Sequence, residues 1–131
     1  MNTTPQVTVS QRDRYTSTVY ARTHEFTSDE PAEQGGADRG PSPWELLLAG
    51  MGSCTTITVQ MYAERKGWVL SGVEVHLSQN NDGSIDMEVD IRGEGLDDSQ
   101  RRRLEAIAQK CPVVKAVQHG IEVRKHVLVQ A

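Results

Sequence analysis

One stretch limits what this chain can fold into more than any other: a long helical run that is apolar around much of its circumference. Ser42-Pro43-Trp44-Glu45 marks its start. Ser42 can cap, Pro43 suits the first helical position because its missing N–H would go unpaired there anyway, and Glu45 completes a capping box. Gly67 supplies the stop, so the helix is predicted to run to about Lys66. Its apolar residues (Leu46, Leu47, Leu48, Met51, Ile57, Val59, Met61) do not keep to one stripe. Such a helix needs partners on more than one side and belongs in the middle of a fold. Gly50 and Gly52 inside it each cost about 1 kcal/mol relative to alanine. Close approach of another backbone, or of a substrate, is the expected compensation.

The flanks read as β structure and shorter helices. Val7, Val9 and Gln11 alternate with polar residues, as do Tyr15, Ser17, Val19 and Ala21, with a turn at Arg12-Asp13-Arg14. A third strand around His24-Glu25-Phe26 completes an antiparallel meander. Asp29 to Pro43 carries three prolines and three glycines and reads as a loop. Beyond the helix, Val69–Ser78 and Ser84–Arg92 alternate and are joined by the hairpin turn Asn80-Asn81-Asp82-Gly83. Asp97 or Asp98 caps a second helix with Leu104, Ile107 and Ala108 as its core stripe. Cys111-Pro112 interrupts it, Pro112 starts a short further helix, Gly120 ends that, and Ile121–Val129 reads as a closing strand. The expected class is α+β, in one domain spanning residues 1–131.

Charge narrows the partners. Net charge is −4, and the one basic run, Arg101-Arg102-Arg103, fans over three faces of a helix. A nucleic-acid partner would need a basic face to displace counterions, so none is expected. The N-terminus has no apolar stretch to act as a signal, and the longest apolar run is far short of a membrane span. A cytoplasmic protein is therefore expected. In that compartment a cysteine pair is more often catalytic, redox-sensing or metal-binding than structural. His24, His76, His119 and His126 are scattered without ligand spacing, so neither a metal nor a cofactor is expected.

Attention falls on the chain's two cysteines, Cys54 and Cys111. Cys54 lies mid-helix, with Leu47, Ile57 and Met61 on its side; taken alone, such a cysteine reads as a small inert hydrophobe. Cys111 precedes Pro112 at the cap of the next helix, where free N–H groups favour a thiolate. The two can act together only if the fold joins them, since a disulfide needs Cα atoms roughly 4.4–6.8 Å apart. Spacing along the chain cannot show that.

The stretch GGADRGPSPWELLLAGMGSCTTITVQMYAERKGW resembles the signature helix of the OsmC/Ohr family of hydroperoxide-reducing proteins. LDDSQRRRLEAIAQKCPVVKAV resembles the family's second cysteine helix, and HEFTSDEP ahead of the glycine pair fits as well. The resemblance runs from about residue 15 to 128. It implies the OsmC-like α+β fold (meander, long central helix, hairpin, second helix pair, C-terminal strand) in an intertwined homodimer. It implies that Cys54 attacks an organic hydroperoxide, that Cys111 resolves the sulfenic acid to a disulfide, and that a dithiol reductant, possibly lipoyl-type, resets the pair. The family's thiol is activated by an arginine paired with a glutamate directly after the helix-start proline. Here Trp44 holds that position and Glu45 follows one residue later. Glu45 therefore reads either as the activating carboxylate or as the capping-box residue. Arg14 on the meander and Arg39 in the loop are the candidate cations, Arg14 the favoured one. The alternative function is a dimeric module that binds a small ligand or partner in an apolar pocket, with the cysteines as passive lining.

Overall fold

The computed structural model describes residues 4–130 and divides into two compact units, the first ending at Ala49 and the second beginning at Gly50. The first is a three-stranded antiparallel sheet in the order β1 (Thr8–Asp13), β2 (Thr16–Ala21), β3 (His24–Ser28). Val19 pairs with Val9 on one side and with Phe26 on the other. The first turn falls at Arg14-Tyr15, a step later than the charged run suggests, with Arg14 in the left-handed region at φ 52.

The Pro/Gly-rich loop that follows contains a short 3-10 turn, Ala32–Gln34, and is tied down by a buried carboxylate. Asp29 Oδ2 accepts from the Thr16 hydroxyl at 2.8 Å and from the Arg39 N–H at 3.2 Å, while Oδ1 accepts from the Glu30 N–H at 2.7 Å. Burial pushes this carboxyl up, but those donors and the Ala37 N–H outweigh it and hold it below the usual carboxylate range. Gly36 is obligatory, because a Cβ there would fall on the Glu30 carbonyl.

The long helix, α1, spans Pro43–Lys66. Its buried residues are Met51, Gly52, Thr55, Val59 and Ala63. Four of them recur every fourth position and form one stripe. Ile57 and Met61 are both 55% exposed, so burial on several sides is not achieved within this chain. The added Cβ of a residue at 52 would meet Leu77 Cδ1 at 3.0 Å, so a side chain of the hairpin, and not another backbone, explains Gly52. Nothing lies within 4 Å of such an atom at Gly50.

In the second unit, β4 (Gly72–Gln79) and β5 (Ile85–Arg92) form the expected hairpin, with Val75 opposite Val89 and Leu77 opposite Met87. Helix α2 (Asp98–Ala108) starts at an Asp97–Gln100 capping box and buries Leu104, Ile107 and Ala108. Val59, Ala63, Leu104 and Ala108 form the core, covered by Trp68, Val73, Val89 and Ile91 among others. Helix α3 (Pro112–His119) follows. One expectation fails: residues 121–130 form no strand with any described segment of the chain. The alternation is there, but a strand exists only through pairing, and Val127 and Val129 stand 80% and 94% exposed. Among the described residues no helix is long and apolar enough to cross a membrane.

Candidate active site

The fold of the second unit brings the two cysteines together. Cys54 sits on α1 beside the buried stripe and is half-buried. Cys111 is the N-cap of α3 and is fully buried. The two thiols lie near enough to shift one another's ionisation, and both are free. Local sequence explains the placement of the second. Pro112 fixes the first helical residue, and Cys111, with φ −65 and ψ 122, stays extended as a residue before proline must.

The surroundings of the two sulfurs differ. Burial pushes Cys111 up, yet the Cys54 thiol, the Val114 N–H, the Thr55 hydroxyl and the Val113 N–H outweigh it, so Cys111 stays below the ordinary thiol value. Burial pushes Cys54 up as well, and its neighbour Cys111 adds to that; the Val113 N–H and the Thr58 hydroxyl only partly offset it. Cys54 Sγ lies 4.0 Å from Thr58 Oγ1, and Cys111 Sγ lies 4.0 Å from the Met51 carbonyl oxygen. The more acidic thiol is thus the enclosed one, and the more accessible thiol is the less acidic.

A groove of about 600 Å³ runs beside the pair, lined by Met51, Met87, Val89, Ile91, Ala108 and Val114 among others. Two of its wall residues, Met51 and Val114, also touch Cys111 through their backbones. Glu105, Gln109 and Gln118 line it as well, so its wall is mixed apolar and polar.

Arg14 and Glu45 belong to the first unit, and each has local partners there. Arg14 Nη1 donates to the Gly35 carbonyl at 3.2 Å, and its guanidinium lies 4.7 Å from the centre of the Tyr15 ring. Glu45 Oε1 accepts from the Ser42 N–H at 2.8 Å, and the Glu45 N–H donates to Ser42 Oγ at 3.2 Å, a complete capping box. Those bonds to Ser42 hold the Glu45 carboxyl below its ordinary value. The Arg39 backbone N–H binds Asp29. Sequence reasoning missed Thr55 and Thr58. Their only signal was position, one and four residues after Cys54 on a helix.

The OsmC-like protein family model matches residues 35–125, which takes in both cysteines and most of the chain. The chain belongs to the OsmC-like family. Among solved structures, this OsmC-like chain is similar to an OsmC-like protein of Mycoplasma pneumoniae (18% identity, TM-score 0.71, covering 90% of this chain and 89% of that one). It is similar to an organic hydroperoxide resistance protein OsmC of Legionella pneumophila (19% identity, TM-score 0.60, covering 88% and 90%). It is also similar to the organic hydroperoxide resistance protein OhrB of Bacillus subtilis (23% identity, TM-score 0.56, covering 88% and 91%). Identities this low establish the OsmC-like fold alone. No curated protein matches the sequence.

Proposed function

We propose that this OsmC-like chain is a thiol peroxidase that reduces organic hydroperoxides through Cys54 and Cys111. The observation that carries the reading is the meeting of two free thiols, one from mid-α1 and one from the start of α3. The Cys54 sulfur, the more open of the two, attacks the O–O bond, releases an alcohol and becomes a sulfenic acid. The Cys111 sulfur then displaces the hydroxyl as water, leaving a disulfide, and an external dithiol, which is itself oxidised, restores both thiols. Hydroperoxide-resistance proteins among the structural relatives support the substrate class. So do the apolar side chains of the groove, against which each buried methylene of an alkyl chain adds up to about 0.8 kcal/mol. The match across residues 35–125 supports treating the chain as a single OsmC-like domain. A reducing compartment such as the cytoplasm suits such a cycle.

The working form is a homodimer. Supporting this are the exposed apolar side of α1 at Ile57 and Met61 and the alternating, unpaired Ile121, Val123, Val127 and Val129, which a second copy would cover. Arg14 and Glu45, engaged as described, are given no role at the sulfur.

The test counts free thiols before and after one equivalent of cumene hydroperoxide and, separately, of hydrogen peroxide. Loss of two thiols per chain, faster with the organic peroxide, is expected, and Cys54→Ser should abolish turnover with a dithiol donor. Undiminished turnover in that variant would sink the reading. A second reading, a dimeric module that binds a small apolar ligand, is favoured by the groove and by Trp44 in the glutamate position. It predicts that both thiols survive peroxide.

A further inference from the structure

We propose that the cationic bowl between the end of α1 and the first turns of α2 binds a small phosphomonoester. The bowl shares no lining residue with the groove beside the cysteines, so the assignment stands apart from the peroxidase reading.

Helical spacing places the cations. Ser99, Arg102, Arg103 and Ala106 fall at i, i+3, i+4 and i+7 of α2, and all four line the bowl. The two small residues leave room, and the two arginines flank it. Arg101 lines a different hollow, so the basic run divides between faces, but two of its three members share one. Across from them the end of α1 contributes Tyr62 and Lys66, with Trp68 just beyond. Together these residues border a space of about 440 Å³. The Tyr62 and Trp68 rings meet edge to face, centres 5.8 Å apart, and form an aromatic wall. Arg103 Nε donates to the Tyr62 hydroxyl at 2.8 Å. The Arg103 guanidinium and the Lys66 ammonium each lie 5.7 Å from the centre of the Tyr62 ring.

Three cations gather here on a chain whose net charge is −4, and the fold gives them no counter-charge. Among the described residues, Lys66, Arg102 and Arg103 have no carboxylate oxygen within 4.0 Å, and no acid lines the bowl. Nearby acids are engaged or lie outside it: Glu64 accepts from Gln60 and Asp97 from the Gln100 N–H, while Asp98 is not part of the lining. The last carbonyls of α1 are covered too, since the Trp68 N–H donates to Ala63 at 2.9 Å and the Gly67 N–H to Glu64 at 3.1 Å. Donors therefore dominate the space. The Tyr62 oxygen accepts from a charged group, which polarises the phenol and strengthens its O–H as a donor. That bond from Arg103, with the charges of Lys66 and Lys110, holds the phenol below its ordinary value.

The arrangement of donors selects the anion. A carboxylate is met best by one edge of a guanidinium, and the Nε of Arg103 is already taken by Tyr62. Donors from separate side chains suit a phosphate, with its double charge and three terminal oxygens. A space of this size also admits an organic group, for which the Tyr62–Trp68 wall is available. An extended polyanion would meet the chain's net negative charge beyond the bowl.

Calorimetric titration of the wild-type dithiol form with phenyl phosphate tests the assignment. Saturable binding with a Kd of about 1 mM or below is expected, and weaker binding of benzoate. In Trp44→Phe, Trp68 is the sole tryptophan, and its fluorescence should change with the same midpoint. Arg102→Gln, whose side chain holds no bond in the fold among the described residues, should weaken binding about tenfold. Tyr62→Phe, which keeps the ring and loses the O–H, should weaken it several-fold. The proposal is overturned by an absence of saturable heat, by benzoate binding as tightly as phenyl phosphate, or by affinity unchanged in both Arg102→Gln and Tyr62→Phe. A response reproduced by sodium chloride at equal ionic strength overturns it as well. The titration does not involve the thiols, so their survival under cumene hydroperoxide would fail the peroxidase reading alone.

Discussion

Helices α2 and α3 follow one another in the chain and are built on opposite plans. The first starts at a reciprocal capping box, in which Asp97 Oδ1 accepts from the Gln100 N–H at 2.8 Å and the Gln100 side chain accepts from the Asp97 N–H at 2.8 Å. It drives Leu104, 1% exposed, into the core. The second starts at a cysteine and buries none of its own eight residues; Val113 and Val117 remain 40% and 36% exposed. In α2 the terminal N–H groups are satisfied by side chains and the helix holds the fold together. In α3 no side chain caps them, and the Val113 and Val114 N–H groups lower the pKa of the Cys111 thiol. The difference teaches that a helix start can be used for stability or for tuning a thiol, and that the identity of the capping residue records which.

The largest effect that would break this comparison is in the core. Leu104→Ala should destabilise the protein by about 2–5 kcal/mol, because it removes a buried side chain and leaves a cavity. Val117→Ala on α3 should cost about 1 kcal/mol or less, since its side chain is already partly in solvent. Urea midpoints of the two variants measure both. Equal losses would mean that α3 is packed by something beyond the single chain.

The same contrast marks what could be read from the residues. Every helix start was legible, since Ser42-Pro43, Asp97 and Cys111-Pro112 act through local rules of capping and fixed φ. The meander and hairpin were legible too, because alternation and turn residues are local. What failed was non-local. Ile121–Val129 alternates like a strand, but alternation cannot supply the partner that pairing requires. The apolar circumference of α1 was legible, but the chain itself covers only the Met51–Ala63 stripe. Glu45 was open to two readings; the reciprocal bonds with Ser42 supply the capping one. At the site, the acidity of Cys111 followed from its place before Pro112. Its nearness to Cys54 did not, because only folding brings α3 back against α1. The OsmC-like resemblance bridged that gap where spacing could not.

A middling effect tests the stabilising half of the comparison. Asp97→Ala removes the acceptor of the Gln100 N–H and should cost about 1 kcal/mol. On the peroxidase reading the α2 start has no part in the chemistry, so the rate of thiol loss to cumene hydroperoxide should stay at the wild-type value. A stability loss with a parallel loss of rate would mean that the two helix starts are not separable.

The smallest signal comes from pH, because the two thiols shift in opposite directions. Cys111 lies below its ordinary value of 9.0 when folded. Between that lowered value and 9.0 the folded chain has released a proton that the unfolded chain keeps, so stability rises with pH and is lost again as pH falls through the folded value. Cys54 lies above 9.0 when folded. From 9.0 up to that raised value the unfolded chain releases the proton and the folded chain does not, so stability falls. The dithiol form should therefore be most stable near 9.0, with a flank on either side. Other groups shift as well, Tyr62 downward through its bond from Arg103 among them, but they are common to the dithiol and disulfide forms. Subtracting the disulfide form's urea midpoints from those of the dithiol form, pH by pH, isolates the two sulfurs. In Cys111→Ser the rising flank on the acid side should vanish while the falling flank above 9.0 remains. If the acid flank survives that substitution, the charge at the start of α3 is not on Cys111, and the two helix starts differ less than their capping residues imply.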